Sequence, residues 1–210
     1  MEVPRELRHA PGIEWLLLAA AFALLTALSI VALDVPLARS LAAHEPWSGW
    51  DRGITLLEWV ILLPLHPLTV PIACCVAMLA CVVTPRWRVH APPWMFAASV
   101  HLLARFLAVH LKTATGRLRP NDWLHTLGPT FGRAGISFPS GHVALFGSLA
   151  AVLAVLHPRL RIPMAILVGL VATARVAVGA HFLSDTLGAA SLVALIVWAC
   201  GIATRPLRPH

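Results

Sequence analysis

Lys112, the only lysine of the chain, is followed after six residues by Arg119-Pro120. Pro139-Ser140-Gly141-His142 comes next. Arg175, His181 and Asp185 then follow, with five and three residues between them. These stretches supply three fixed cations, two histidines and one carboxylate, an inventory suited to breaking a phosphate ester. The non-bridging oxygens of a phosphate gain negative charge in the transition state, and preorganised donors aimed at them supply much of the catalysis. Arg119 and Arg175 keep their protons and offer planar forks to two oxygens each, while Lys112 adds a compact point charge. Any one of them alone reads as a lipid-headgroup contact. Three with matched neighbours read as an anion site.

Pro139-Ser140-Gly141-His142 reads as a helix start. Proline is tolerated in a first turn, and the amides of Ser140, Gly141 and His142 would face outward at the positive end of the helix dipole. A plain helix cap is the bland alternative for the tetrapeptide alone. His181 and Asp185, four apart, would share one helical face. A carboxylate accepting from one ring nitrogen fixes the tautomer and leaves the other nitrogen free to attack phosphorus. His142 is then placed to give the leaving group its proton. A metal held by His142, His181 and Asp185 is disfavoured, because the three cations already neutralise phosphate and would repel it. No metal and no cofactor are expected.

The elements that must position these groups are apolar. Hydrophobic residues make up 59% of the chain and charged residues 12%. Runs over 13–33, part of 54–83, 94–111, 141–156, 163–180 and 184–202 approach the roughly 20 residues that span a bilayer. Pro64, Pro67 and Pro71 interrupt the second run, which predicts a kinked helix with an interfacial first half. Arg5 and Arg8, Arg86 and Arg88, Arg159 and Arg161, and Arg205 and Arg208 fall in alternate connections and at both termini. Six spans would gather them on one face, cytoplasmic by the positive-inside rule. Lys112, Arg117, Arg119, Arg133, Arg175 and His181 then share the outer face against that rule, and an anion site explains why.

The net charge of +7 reads as topology plus anionic-lipid contact rather than nucleic-acid binding, since no basic stripe with interleaved aromatics is present. Most tryptophans flank spans and read as interface anchors. Trp47 and Trp50, near Asp34 and Glu45, would sit on a helix lying on the membrane. Cys74, Cys75, Cys81 and Cys200 fall in apolar runs and read as buried residues rather than a disulfide framework. The first run is too long for a signal peptide. With no internal repeat or linker, residues 1–210 are expected to form a single integral domain. His101, Arg105 and Lys112 share a helical stripe, with Arg105 about 10 Å deeper than Lys112. Arg105 either lines a substrate groove or makes a structural pair, Glu58 being a candidate partner.

The three stretches resemble the signature of the type 2 phosphatidic acid phosphatase family, which covers membrane lipid phosphatases and, more distantly, soluble vanadium haloperoxidases. Lys112, Arg119 and Pro120 match its first motif, Pro139 through His142 its second, and Arg175, His181 and Asp185 its third. Ala174 stands where that third motif has serine, which removes one hydroxyl donor. The resemblance implies attack by His181 to form a phosphohistidine. Asp185 would orient that ring, and His142 would protonate the leaving group and then activate water. Lys112, Arg119, Arg175 and the Ser140 and Gly141 amides would hold the phosphoryl oxygens, without a metal.

The expectation is an all-α, integral membrane six-helix bundle with its site at the outer membrane–water interface. The expected location is a bacterial-type inner membrane, with the site facing the periplasm or exterior. The expected reaction is hydrolysis of a lipid phosphate monoester or diphosphate, with a polyprenyl diphosphate such as the undecaprenyl carrier favoured. Phosphatidate, phosphatidylglycerol phosphate and lipid A phosphate stay open. A lipid phosphotransferase using the same histidine, and a non-enzymatic lipid transporter or scramblase, are the competing readings. Membrane lipids are the expected surroundings, and the sequence does not fix an oligomeric state.

Overall fold

The computed structural model describes residues 11–44, 49–61 and 69–203. Glu45, Trp47, Pro64, His66, Pro67 and the terminal arginines Arg5, Arg8, Arg205 and Arg208 lie outside these. All regular elements among the described residues are helical: α1 (Ile13–Ala32), α2 (Asp34–Ala42), α3 (Gly49–Val60), α4 (Thr69–Val83), α5 (Ala91–Thr115), α6 (Pro120–Thr126), α7 (Gly141–Leu156), α8 (Arg161–Ala177) and α9 (Leu183–Ala203), with short 3-10 turns at Pro85–His90 and Pro158–Leu160. α1, α5, α8 with its preceding turn, and α9 are long and apolar enough to cross a membrane, whereas α4 and α7 are apolar but shorter. The chain is a multi-pass membrane protein.

The second apolar run is described in two parts, α3 and α4, and the stretch 62–68 between them, where the kink at Pro64 and Pro67 was expected, lies outside the described residues. α3 carries Asp51, Arg52 and Glu58 beside an apolar stripe of Trp50, Ile54 and Leu57 that, with Ile61 just beyond it, packs on the core. Such amphipathic patterning favours lying against the bundle over crossing lipid. Pro71 falls in the first turn of α4, where a missing N–H costs little.

α7 is the centre of the bundle. Apart from His142 it has no ionisable side chain, and it is buried along almost its whole length. Ala144, Gly147, Ala150, Ala151 and Ala154 let neighbouring backbones approach closely, the usual basis of helix association where lipid removes the hydrophobic drive. It packs on α5, α8 and α9, while α1 lies along α9 and α4 along α5. Cys74 and Cys200 are buried in the apolar cluster around Phe96, Val100 and Val197. Leu17, Leu24, Leu28 and Val31 of α1 are exposed, as a lipid-facing helix requires.

This topology sends the ends of α1, α5 and α8 and the beginnings of α7 and α9 to one end of the bundle. Arg86, Arg88 and Arg159 occupy the 3-10 turns at the other end, and Arg161 opens α8 there. At the first end, α5 stops at Gly116, whose φ of 54° is left-handed. A β-carbon there would run into the Arg133 carbonyl. The close approach lets Arg133 N–H donate to the Gly116 carbonyl at 2.7 Å, and Ser137 N–H to that of Arg117 at 2.9 Å. The connection is thereby folded back over α5, with Arg117 inside it.

Candidate active site

The third motif sits at the entry to α9. His181 lies in the turn before the helix rather than on it, so the expected shared helical face is replaced by a turn-to-helix pairing. Gly179, at φ 66°, makes that turn. Asp185, in the first turn of α9, accepts from Phe182 N–H at 2.9 Å, the reciprocal half of a capping box. The same Oδ2 atom is 3.4 Å from His181 Nδ1 and accepts from Ser137 Oγ at 2.5 Å. Ser137 Oγ is itself 3.3 Å from His181 Nδ1. Nδ1 therefore faces oxygens, and Nε2 is the ring atom left to react. His181 is 3% exposed and Asp185 0%.

Burial, assisted by the charges of Lys112 and Arg175, holds the His181 ring below the usual histidine range, against the opposing pull of Asp185. Were His181 the nucleophile, its imidazole would have to be neutral, and activity would rise as pH climbs through this depressed value. The acid limb of kcat/KM is expected to have its midpoint below the ordinary histidine value of about 6.5. A pH–rate profile checks this, and a midpoint above that value contradicts it.

Lys112 (last turn of α5) and Arg175 (last turn of α8) lie within electrostatic reach of His181, and Arg119 (N-cap of α6) within reach of both cations. Lys112 Nζ donates to the Ile136 carbonyl at 2.6 Å, and its stem lies against Gly141. Lys112 is within electrostatic reach of Arg119, Arg175 and Asp185. The Nε atoms of Arg119 and Arg175 are buried without a hydrogen-bond partner among the described residues. Gathered like charges with unused donors are costly unless an anion enters.

The second motif opens α7, but Pro139 precedes the N-cap instead of lying in the first turn, after a cis peptide from Phe138. Ser140 is the N-cap, and its hydroxyl accepts from Val143 N–H at 3.5 Å. Its own N–H donates to the Asp185 carbonyl at 2.9 Å. This corrects the expectation that the Ser140 amide faces a ligand: it clamps α7 to α9 instead. Gly141 and His142 contribute the first free turn. His142 Nε2 lies 2.6 Å from Glu58 Oε1 of α3.

Glu58 is therefore not the partner of Arg105, which stays half-buried below Lys112. His101 is buried with Nδ1 2.7 Å from Ser148 Oγ of α7, a structural pairing. Ala174 is buried in the apolar cluster of Val143, Ala144 and Phe146, so the position that would carry the family hydroxyl packs among apolar side chains here.

Sequence reasoning missed the group that holds the pair. Arg117 is 1% exposed. It donates to Asp185 Oδ1 and Ser184 Oγ at 2.6 Å and to Asp34 Oδ2 at 2.5 Å. Its guanidinium is flanked by Phe131 and Phe182, 4.4 Å from each ring centre. Asp34, at the α1–α2 junction, also accepts from Ser29 Oγ at 2.8 Å and Ser184 N–H at 3.0 Å. The sequence placed Arg117 on the outer face among the cations of an anion site, with nothing to tie it to Asp34 and Asp185.

A cavity of about 240 Å³ adjoins His181, lined by Leu37, Leu41, Asn121, Val176 and Phe182 among others. An apolar groove of about 310 Å³ lies between α2 and the α8–α9 pair, sharing Leu37, Leu41, Val176, Ala177 and Leu183 with that cavity.

Over 109 residues the chain is 40% identical to a lipid A 1-phosphatase of Rhizobium etli, covering 46% of this chain and 47% of that protein. It is 38% identical to a lipid A 1-phosphatase of Rhizobium johnstonii, covering 46% and 44%. The chain thus matches about half the length of these curated relatives. Its fold is similar to the crystal structure of the first transmembrane PAP2 type phosphatidylglycerolphosphate phosphatase from Bacillus subtilis, with a TM-score of 0.59 and 22% identity over 94% of this chain and 100% of that one. Residues 93–207 match the PAP2 superfamily. That range holds all three motifs and more than half of the sequence, so the chain belongs to the PAP2 superfamily.

Proposed function

We propose that the chain hydrolyses the phosphate of a membrane lipid through a phosphohistidine on His181. The observation that carries this reading is the convergence of a buried imidazole–carboxylate pair with three cations, two of which hold buried Nε donors with no partner among the described residues. His181 Nε2 attacks phosphorus while Asp185 and Ser137 hold Nδ1–H. Lys112, Arg119 and Arg175, with the Gly141 and His142 amides, neutralise the non-bridging oxygens. His142 protonates the departing oxygen and then takes a proton from the water that releases phosphate.

With the arginine-rich turns on the cytoplasmic side, the site opens at the outer interface. The cavity at His181 shares lining residues with the apolar groove. Neither is lined by Lys112, Arg119, Arg175 or His142, so they offer an apolar surface behind His181 rather than the phosphate pocket itself. The names of the curated relatives favour lipid A 1-phosphate as the first substrate to try. A polyprenyl diphosphate comes next, since the pocket's charge is matched to phosphate rather than to any one headgroup.

The test is phosphate release by purified protein from lipid A 1-phosphate, undecaprenyl diphosphate, phosphatidate and phosphatidylglycerol phosphate, each alone. At least one should release inorganic phosphate with no acceptor present, and turnover should survive a chelator. Release only when a second lipid is added would make the protein a phosphotransferase. Loss on chelation reversed by a divalent ion would replace the cationic site by a metal site.

A further inference from the structure

α3 packs on α8, with Ile54 buried in the apolar cluster that includes Val143, Phe146 and Ala174. One turn later, Glu58 reaches His142 at 2.6 Å, with both side chains about a quarter exposed. The site therefore holds two histidine–carboxylate pairs, one on each candidate reacting ring. The charged groups facing His142 are Glu58 from α3, Arg175 from α8 and Lys112 from α5. Burial first, and then the two cations, oppose a proton on the ring, and Glu58 favours one. A group that must donate a proton there needs a carboxylate against it. Glu58 supplies one from outside the 93–207 family match.

Resting on the phosphatase reading above, we propose that Glu58 is the positioning residue of the leaving-group step. Its carboxylate holds Nε2–H of His142, favours the ring's proton beside Arg175 and Lys112, and leaves Nδ1–H to face the departing oxygen. In the first step a bond forms from His181 Nε2 to phosphorus and the bond from phosphorus to the lipid oxygen breaks. The proton on His142 Nδ1 passes to that oxygen, and His142 becomes neutral with Nε2–H still on Glu58. In the second step water gives a proton to His142 Nδ1 and its oxygen bonds to phosphorus. The phosphorus–nitrogen bond breaks, inorganic phosphate leaves, and His142 is again protonated.

Glu58→Gln keeps an acceptor for Nε2–H and removes the charge. The experiment compares this variant with wild type in detergent on two esters: a lipid alkyl phosphate, whose alkoxide needs a proton, and 4-nitrophenyl phosphate, whose phenolate leaves without one. The alkyl ester should lose kcat on the order of 10²-fold, the low end of what a general acid contributes. That loss should exceed the loss on the aryl ester by at least about tenfold. The basic limb of the alkyl-ester kcat profile should move to lower pH, because Glu58 no longer favours the protonated ring. Equal losses on the two esters with an unmoved basic limb would reduce Glu58 to a tie between α3 and α7 and overturn the proposal. Failure of wild type to release phosphate from either ester would overturn the phosphatase reading, and this inference with it.

Discussion

His181→Asn should lower phosphate release by about 10⁴-fold or more, the scale on which removal of a nucleophile disables a covalent catalyst. Asparagine retains a polar atom near Ser137 and Asp185, so the turn before α9 should persist and the protein should still fold. Phosphorus-labelled lipid, quenched under alkaline conditions, should leave label on the wild-type chain and none on the variant, since a phosphorus–nitrogen bond is acid-labile and base-stable. Label that survives in His181→Asn would move the nucleophile elsewhere. Undiminished phosphate release would dismiss the covalent route.

Arg117→Met should destabilise the protein by about 3–5 kcal/mol, the usual cost of removing one partner of a buried ion pair. Methionine roughly fills the space between Phe131 and Phe182, so the loss is mainly that of uncompensated charge. Arg117 bridges two carboxylates, Asp34 and Asp185, that are 2% and 0% exposed. Adding Asp34→Asn to Arg117→Met removes one of the stranded charges and should recover part of the stability. Denaturation of the detergent-solubilised protein, read by tryptophan fluorescence, measures both variants. A double variant less stable than Arg117→Met would mean that Asp34 contributes through its bonds to Ser29 and Ser184 more than through its charge.

Much of the candidate site was legible because its residues sit at the ends of apolar runs. A run long enough to be a helix fixes which end of the bundle its flanking residues reach. Lys112, Arg119, His142, Arg175, His181 and Asp185 could therefore be assigned to one end from spacing and alternation alone. Asp34 and Glu58 could not. They are 83 residues from Arg117 and 84 from His142, on helices with no motif, and only the packing of α1 on α9 and of α3 on α7–α8 brings them in. Ser140 shows a different limit. The sequence identifies a helix N-terminus with free amides, but one amide is consumed by a neighbouring carbonyl that tertiary packing supplies. In the second apolar run the expected interfacial first half corresponds to α3, whose charges beside an apolar stripe suit lying against the bundle, while the expected kink falls at 62–68, outside the described residues.

The tie between Asp34 and Arg117 also bears on how the molecule can be dissected. A fragment beginning at α5 would contain every residue of the three motifs, yet Arg117 would face one carboxylate where the intact chain gives it two. The amino-terminal hairpin is thus a covalently attached counterion. Supplying α1 and α2 in trans should restore order to such a fragment only if the aspartate travels with them.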